Sequence, residues 1–199
     1  MPLDRALLAA LADLVDDATA AFEQYDYARA LERTERFFWG YCDDYIELVK
    51  QRAYGDADDP GAQSARATLA FALDTLLRLF APHLPFVTEE VWSWWREGSV
   101  HRSAWPEAAP LRAAAAGDPA DGYRVAAEVL AEIRKAKTSE KKSMRADVAS
   151  ATVVDRAERL ALLEPVARDV RDAGRIAELH TAEGDTLAVE VVFAEEPAA

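Results

Sequence analysis

Apolar residues recur at helical spacing along the first half of the chain. Leu3, Leu7, Leu11, Leu14, Val15 and Ala18 share one side of a 3.6-residue wheel and predict an amphipathic helix from about Leu3 to Phe22. Tyr25 and Asp26 interrupt it. The pattern resumes at Tyr27 and runs to about Tyr54, where the acids and turn formers of GDADDPG, Gly55 to Gly61, predict an exposed loop. Leu69, Leu73, Leu76, Leu77 and Phe80 mark a third helix from about Ala62 to Phe80, stopped by Pro82. APHLPFVTEEVWSWW then predicts a sharp turn into a fourth helix. Pro85 suits its first turn, and Glu89 and Glu90 favour the positive end of its dipole. Four helices with short links predict an antiparallel bundle over residues 1–98.

After Gly98 the pattern changes. SVHRSAWPEAAPLRAAAAGDPADG, residues 99–122, mixes prolines, glycines and small side chains and reads as a crossing segment or linker. Tyr123 to about Thr138 is a fifth helix, and Ala146 to Asp155 alternates as a strand does. Arg156 to Ala173 reads as helix with Gly174 as its cap. RIAELHTAEGDTLAVEVVF reads as two strands joined in a hairpin at Glu183-Gly184-Asp185. The expected fold is mainly α: the bundle, the crossing segment, and a small α+β unit of order αβαββ over residues 123–199.

The long second helix carries ERFFWGYCDDYIELVK, Glu35 to Lys50. On a regular wheel Phe38, Cys42, Tyr45 and Val49 form one row and Phe37, Tyr41 and Leu48 its neighbour, which makes a wide core face. Asp44 falls in that second row, so it should be paired or hydrogen-bonded if buried. Arg36, Gly40, Asp43, Glu47 and Lys50 make a polar line, in which Gly40 leaves room for another backbone. Two uses are open for this helix: bundle core alone, or a surface of Arg36, Trp39 and Lys50 that stacks on and neutralises an unpaired base. Trp92 and Trp95 read as core, Trp94 as exposed, and Trp105 as a plug that pins the crossing segment. His83 reads as a structural hydrogen-bonding group and Cys42 as an inert buried thiol.

Composition narrows the classes. A net charge of -13 argues against general affinity for nucleic acid or anionic lipid, so a polyanion partner needs a local basic patch. Such a patch exists, because four of the five lysines fall between Lys135 and Lys142. Tyr123 to Arg145 holds seven basic residues against three acidic ones, a net of +4, which leaves -17 on the remainder. The block suits phosphate contact or, equally, a solvated helix end facing its dipole. One cysteine and three scattered histidines offer neither a disulfide framework nor a zinc site, which suits a reducing, cytoplasmic setting. Acids at Asp4, Asp13, Asp16 and Asp17 break any signal-peptide core, and no apolar run reaches membrane-span length. No phosphate-binding Gly-rich loop, HExxH or Ser-His-Asp constellation is present, so an independent enzyme is the weakest expectation.

Three stretches together resemble a known family: RFFWGYCDDYIELVK, LLRLFAPHLPFVTEEVWSWW and SVHRSAWP. The aromatic helix followed by Pro-x-x-Pro-Phe-x-Thr-Glu-Glu-x-Trp is similar to the anticodon-binding region of the valyl, isoleucyl and leucyl group of class I aminoacyl-tRNA synthetases. The Cys42 to Glu47 form and the Trp-Pro segment favour the valyl family. The resemblance covers about Leu3 to Pro106. It implies a tRNA-binding module of an ATP-dependent valine-tRNA ligase, not catalytic by itself, whose catalytic and editing domains lie elsewhere. ATP belongs to those domains, and no cofactor or metal is expected in this chain. The family's long heptad arm is replaced here by the αβαββ unit, which makes the basic block its substitute for backbone contact. The expected anticodon contacts are Arg36, Trp39, Lys50 and Arg52, and the expected phosphate contacts are Lys137, Lys141, Lys142 and Arg145. The alternatives are the isoleucyl equivalent and a helical protein-interaction scaffold without RNA binding.

Overall fold

The computed structural model describes residues 1–195. Helix α1 (Pro2–Glu23) opens with Pro2 at its start, where a missing N–H leaves no bond unmade. Leu3, Leu7, Leu8, Leu11, Ala12, Leu14 and Val15 are all buried, a wider face than one amphipathic stripe. The reason is that α1 touches α2 (Tyr27–Gly40) and α4 (Pro60–Phe80) in the bundle and is also covered by α6 (Ala108–Ala115) and α7 (Asp121–Ser139).

Residues 99–122 cross the bundle surface and include a helix, α6, that packs on α1. Ser99 Oγ and the Val100 N–H donate to Glu89 Oε2 at 2.9 and 3.0 Å, which anchors a 3-10 turn at Val100–Arg102. Trp105 donates from Nε1 to Thr19 Oγ1 at 2.8 Å and sets its ring edge-on to Phe22 at 5.0 Å, the plug expected of it. Helix α6 then lies on α1. The small residues that read as linker are what let it pack closely.

The run from Tyr27 to Ala53 is helical throughout but not regular. Between α2 and α3 (Ile46–Ala53) lies one π-helical turn, Tyr41–Tyr45, in which the Ile46 N–H reaches the Tyr41 carbonyl. The turn carries Tyr41 and Tyr45 into the core, stacked at 5.9 Å and 18°. Asp44 is half-buried and, as its row required, paired: Arg134 Nη1 donates to its Oδ1 at 3.0 Å. Burial pushes the Asp44 carboxyl above its usual range, with Arg134 opposing. Gly40 faces not a backbone but the Tyr123 hydroxyl, which stands 3.3 Å from where a Cβ would sit.

Helix α4 begins at Pro60, two residues before the apolar pattern does, because Asp59 accepts from the Gly61 and Ala62 N–H groups. Helix α5 (Pro85–Ser93) follows the sharp turn. Trp92 is buried and Trp94 exposed, whereas Trp95, expected in the core, is exposed as well, with the Arg96 guanidinium over its ring at 4.7 Å.

The C-terminal unit holds β1 (Val148–Asp155), α8 (Ala157–Leu163), a 3-10 turn at Glu164–Val166, α9 (Ala167–Gly174), β2 (Ile176–Glu183) and β3 (Ala188–Phe193). Pro165 divides the single helix expected over 156–173, and Arg175, with φ 57°, takes the left-handed capping position assigned to Gly174. β2 and β3 are not a hairpin. The sheet order is β2-β1-β3, with β1 parallel to β2 and antiparallel to β3. The segment after β2 crosses the end of β1, where Gly184 donates to Asp155 O at 3.0 Å and a Cβ would stand 2.5 Å from Val154 Cγ1. Glycine is needed there for close passage over a strand, not for a tight turn. The bundle and this unit share one core: Leu7, Leu11, Tyr45 and Leu48 belong to the same cluster as Val129, Ile133, Val153 and Val170.

Candidate nucleic-acid interface

At one end of the bundle the α1–α2 turn meets the α4–α5 turn over Phe22. The Phe22 ring lies 5.3 Å from Tyr27, 5.6 Å from His83 and 5.0 Å from Trp105. On these two turns Tyr25 is 80% exposed and Phe86 89%. Tyr27, Leu84 and Val87 are exposed beside them. Tyr25 also holds φ 59°, a left-handed conformation unfavourable for a bulky residue, and only Tyr27 meets its ring, edge-on at 6.4 Å. That conformation closes the end of α1, where the Asp26 N–H donates to Ala21 O at 2.9 Å and the Tyr25 N–H to Phe22 O at 3.0 Å, and it leaves the Tyr25 ring in solvent. His83 differs from expectation: its Nε2 is enclosed without a hydrogen-bond partner, and burial lowers its pKa, so the ring is neutral at pH 7.

Cations follow the rings along α2. Arg29, Arg33 and Arg36 are spaced by four and three residues and so share one side of the helix. Asp26 caps the helix through the Arg29 N–H at 3.1 Å, yet among the described residues neither the Arg29 nor the Arg33 guanidinium is held in an ion pair. Arg36 is exposed and pairs with Glu32 at 2.7 Å. Trp39, one turn on, is 54% exposed, its ring edge-on to Phe38 at 5.3 Å and Phe38 in turn on Phe80 at 5.7 Å. Exposed aromatic faces beside guanidinium groups suit unpaired bases, which can stack on both and present their edges.

Of the four expected base contacts, the structure brings Arg36 and Trp39 together on this surface. Lys50, paired with Glu47 at 2.8 Å, lies roughly 20 Å farther along the axis at 1.5 Å per residue. Arg52 is corrected outright. It is buried, and its five N–H donors are consumed: two by Asp4 at 2.8 and 2.9 Å, two by Asp169 at 2.7 and 3.3 Å, one by Gly61 O at 2.9 Å. Tyr45 also donates to Asp4 at 2.8 Å, and Ser64 donates to the same carboxylate. Burial works to raise the Asp4 pKa, but the Arg52 and Ser64 hydrogen bonds outweigh it and hold the carboxyl below its usual range. Burial prevails at Asp169, which is raised.

Lys137 is the second correction. Only 2% exposed, it donates from Nζ to the carbonyls of Met144, Ala146 and Gly174, at 3.1, 2.9 and 2.9 Å. It cannot reach a phosphate. Lys141 and Arg145 stand exposed on the loop after α7, with Lys142 half-buried between them. The sequence pattern concealed the turn cluster, because Tyr25 and Asp26 read as an interruption and Pro85-Phe86 as a helix start; only their exposure together marks a surface.

The profile of the family described as anticodon-binding domain of tRNA ligase matches residues 4–153. The chain belongs to that family. The match takes in the bundle, α6, α7 and most of β1, so the turn cluster and the α2 cations belong to the anticodon-binding domain itself. Proteins named valine-tRNA ligase are 55% identical in Salinispora tropica over 93% of this chain and 55% identical in Thermobifida fusca over 97% of it. The one from Leifsonia xyli is 50% identical over 99%. The chain spans only 22–23% of the length of these relatives. Among the described residues of the anticodon-binding domain no helix is long and apolar enough to cross a membrane, and no group of three or more acidic, histidine or cysteine side chains could hold a metal ion.

Proposed function

We propose that this anticodon-binding domain reads the anticodon loop of a valine-accepting tRNA and so positions it for valine attachment in the cytoplasm. Catalytic and editing domains of the same longer ligase carry out the ATP-dependent chemistry and the proofreading, and no catalytic step falls to this chain. One observation carries the reading: exposed rings at Tyr25 and Phe86 on the turns that meet at Phe22, with Arg29 and Arg33 on α2 outside any ion pair among the described residues, in a domain of this family. Unpaired anticodon bases stack there, and the middle and third anticodon positions are read at their edges by α2 side chains, Arg36 and Trp39 among them. The loop cations Lys141, Lys142 and Arg145 take backbone phosphates outside the anticodon. The acidic remainder of the surface repels RNA and confines binding to these places.

Binding of a valine-accepting tRNA transcript, compared with one altered at the middle anticodon base, tests this. Tighter binding of the unaltered transcript, with affinity falling steeply with salt, is the expected result. Equal affinity for both transcripts overturns specific recognition, and absence of binding favours a protein-interaction scaffold.

A further inference from the structure

We infer that Lys137, which cannot touch RNA, is a positioning residue that holds the Lys141–Arg145 loop in shape for a polynucleotide phosphate. This rests on the proposal that the loop contacts RNA. The loop leaves α7 through a turn in which the Lys142 N–H donates to Lys137 O at 2.8 Å and the Lys141 N–H to Thr138 O at 3.0 Å, with Lys141 at φ 53°. Beyond it, Ser143 ties the loop to itself: Oγ accepts from the Arg145 N–H at 3.2 Å and its carbonyl from the Ala146 N–H at 2.9 Å. Lys137 closes the ring from inside. Its backbone carbonyl holds the start of the loop and its ammonium holds the carbonyls of Met144 and Ala146 at the end.

The third carbonyl, from Gly174, couples the loop to the end of α9. An ammonium has three donors and three carbonyls converge on it, so the match is complete, whereas an apolar side chain would leave all three acceptors unsatisfied. Burial and the nearby Arg175 lower the Lys137 pKa, with Asp147 opposing, and among the described residues its bonds run to the three carbonyls and to no carboxylate. A flexible loop carrying the same cations would have to be ordered on binding. This one is ordered beforehand.

The test is a double-mutant cycle read as tRNA affinity against salt, using the 199-residue chain and a valine-accepting transcript. Lys137→Met is expected to weaken binding several-fold and to flatten the salt slope, while discrimination at the middle anticodon base persists. In a background of Lys141→Ala with Arg145→Ala, the same change is expected to cost almost nothing further, because Lys137 acts only through that loop. An equal loss in both backgrounds overturns the inference, since it reveals a general structural defect. If Lys137→Met does not fold, Lys137→Arg, whose planar fork cannot serve three converging carbonyls, gives the same comparison.

Amide hydrogen exchange without RNA separates the two layers. Faster exchange at Arg145 and Ala146 in Lys137→Met is required by the positioning role, and unchanged exchange overturns it. If exchange rises but the Lys141→Ala, Arg145→Ala protein binds RNA with an unchanged slope, the phosphate contact fails and with it the inference for RNA.

Discussion

The two ends of the helical run from Tyr27 to Ala53 use the same residue types in opposite ways. At its start Tyr25 and Tyr27 stand open, and among the described residues Arg29 and Arg33 have no ion-pair partners. At its finish Tyr45 is fully buried and Arg52 is saturated by Asp4, Asp169 and Gly61 O. An arginine in a sequence is thus neither a ligand contact nor a strut until its partners are counted. The open end keeps donors in reserve, and the closed end spends them on joining the bundle to α9.

The largest separation between the ends is in stability. Removing Arg52 leaves two buried carboxylates without their cation, so Arg52→Ala should cost about 3–5 kcal/mol in urea unfolding. Arg29→Ala and Arg33→Ala should stay within about 0.5 kcal/mol, as surface changes do. A comparable loss from Arg29→Ala would break the contrast. The next effect is on RNA: Tyr25→Ala and Phe86→Ala should each weaken tRNA binding by about 1–3 kcal/mol, the range for one stacked base, with no loss of thermal stability. If neither changes affinity, the open end is not the stacking surface.

Acid sharpens the comparison further. The folded-state pKa of Asp4 lies below its unfolded value near 3.8, so the native state binds fewer protons there. The stability it contributes is complete above that value and disappears as pH falls through the lower, folded one. Asp4→Asn should therefore flatten the stability profile below about pH 4, measured by unfolding at a series of pH values. The smallest effects belong to the exposed pairs. Arg36→Ala and Lys50→Ala should each change stability by about 0.5 kcal/mol or less, but Arg36→Ala should weaken RNA binding more than Lys50→Ala. Equal effects would extend the open surface past the π-helical turn.

The bundle was legible in the sequence because its helices are long and periodic and its loops carry strong stops. The succession of helix and strand types after α6 was legible from periodicity too, apart from the break at Pro165. Pairing was not: Glu183-Gly184-Asp185 has hairpin composition, but that glycine serves the passage over Val154, which only the fold reveals. The pairing of Asp44 is legible, since an acid in an apolar row needs a partner if buried, although nothing in the spacing names Arg134. Arg52 and Lys137 misled for one physical reason. A cation buried by segments remote in sequence, Asp169 or Gly174, looks on a wheel like one exposed to solvent. The exposed turn cluster has no signature in the sequence, because solvent exposure is a property of assembled elements and not of any one of them.

The central place of β1 sets a timetable as well as a shape. The strand in the middle of the sheet is synthesised before both of its neighbours, and its family match ends at residue 153, inside the strand. A chain emerging from the ribosome therefore carries a strand with two bare edges that must wait for Ile176–Glu183 and Ala188–Phe193, and a bundle whose shared core and Arg52 still await α9. Until Gly174 is in place the loop bearing Lys141 and Arg145 lacks that anchor, so the basic surface is completed only with the C-terminal unit.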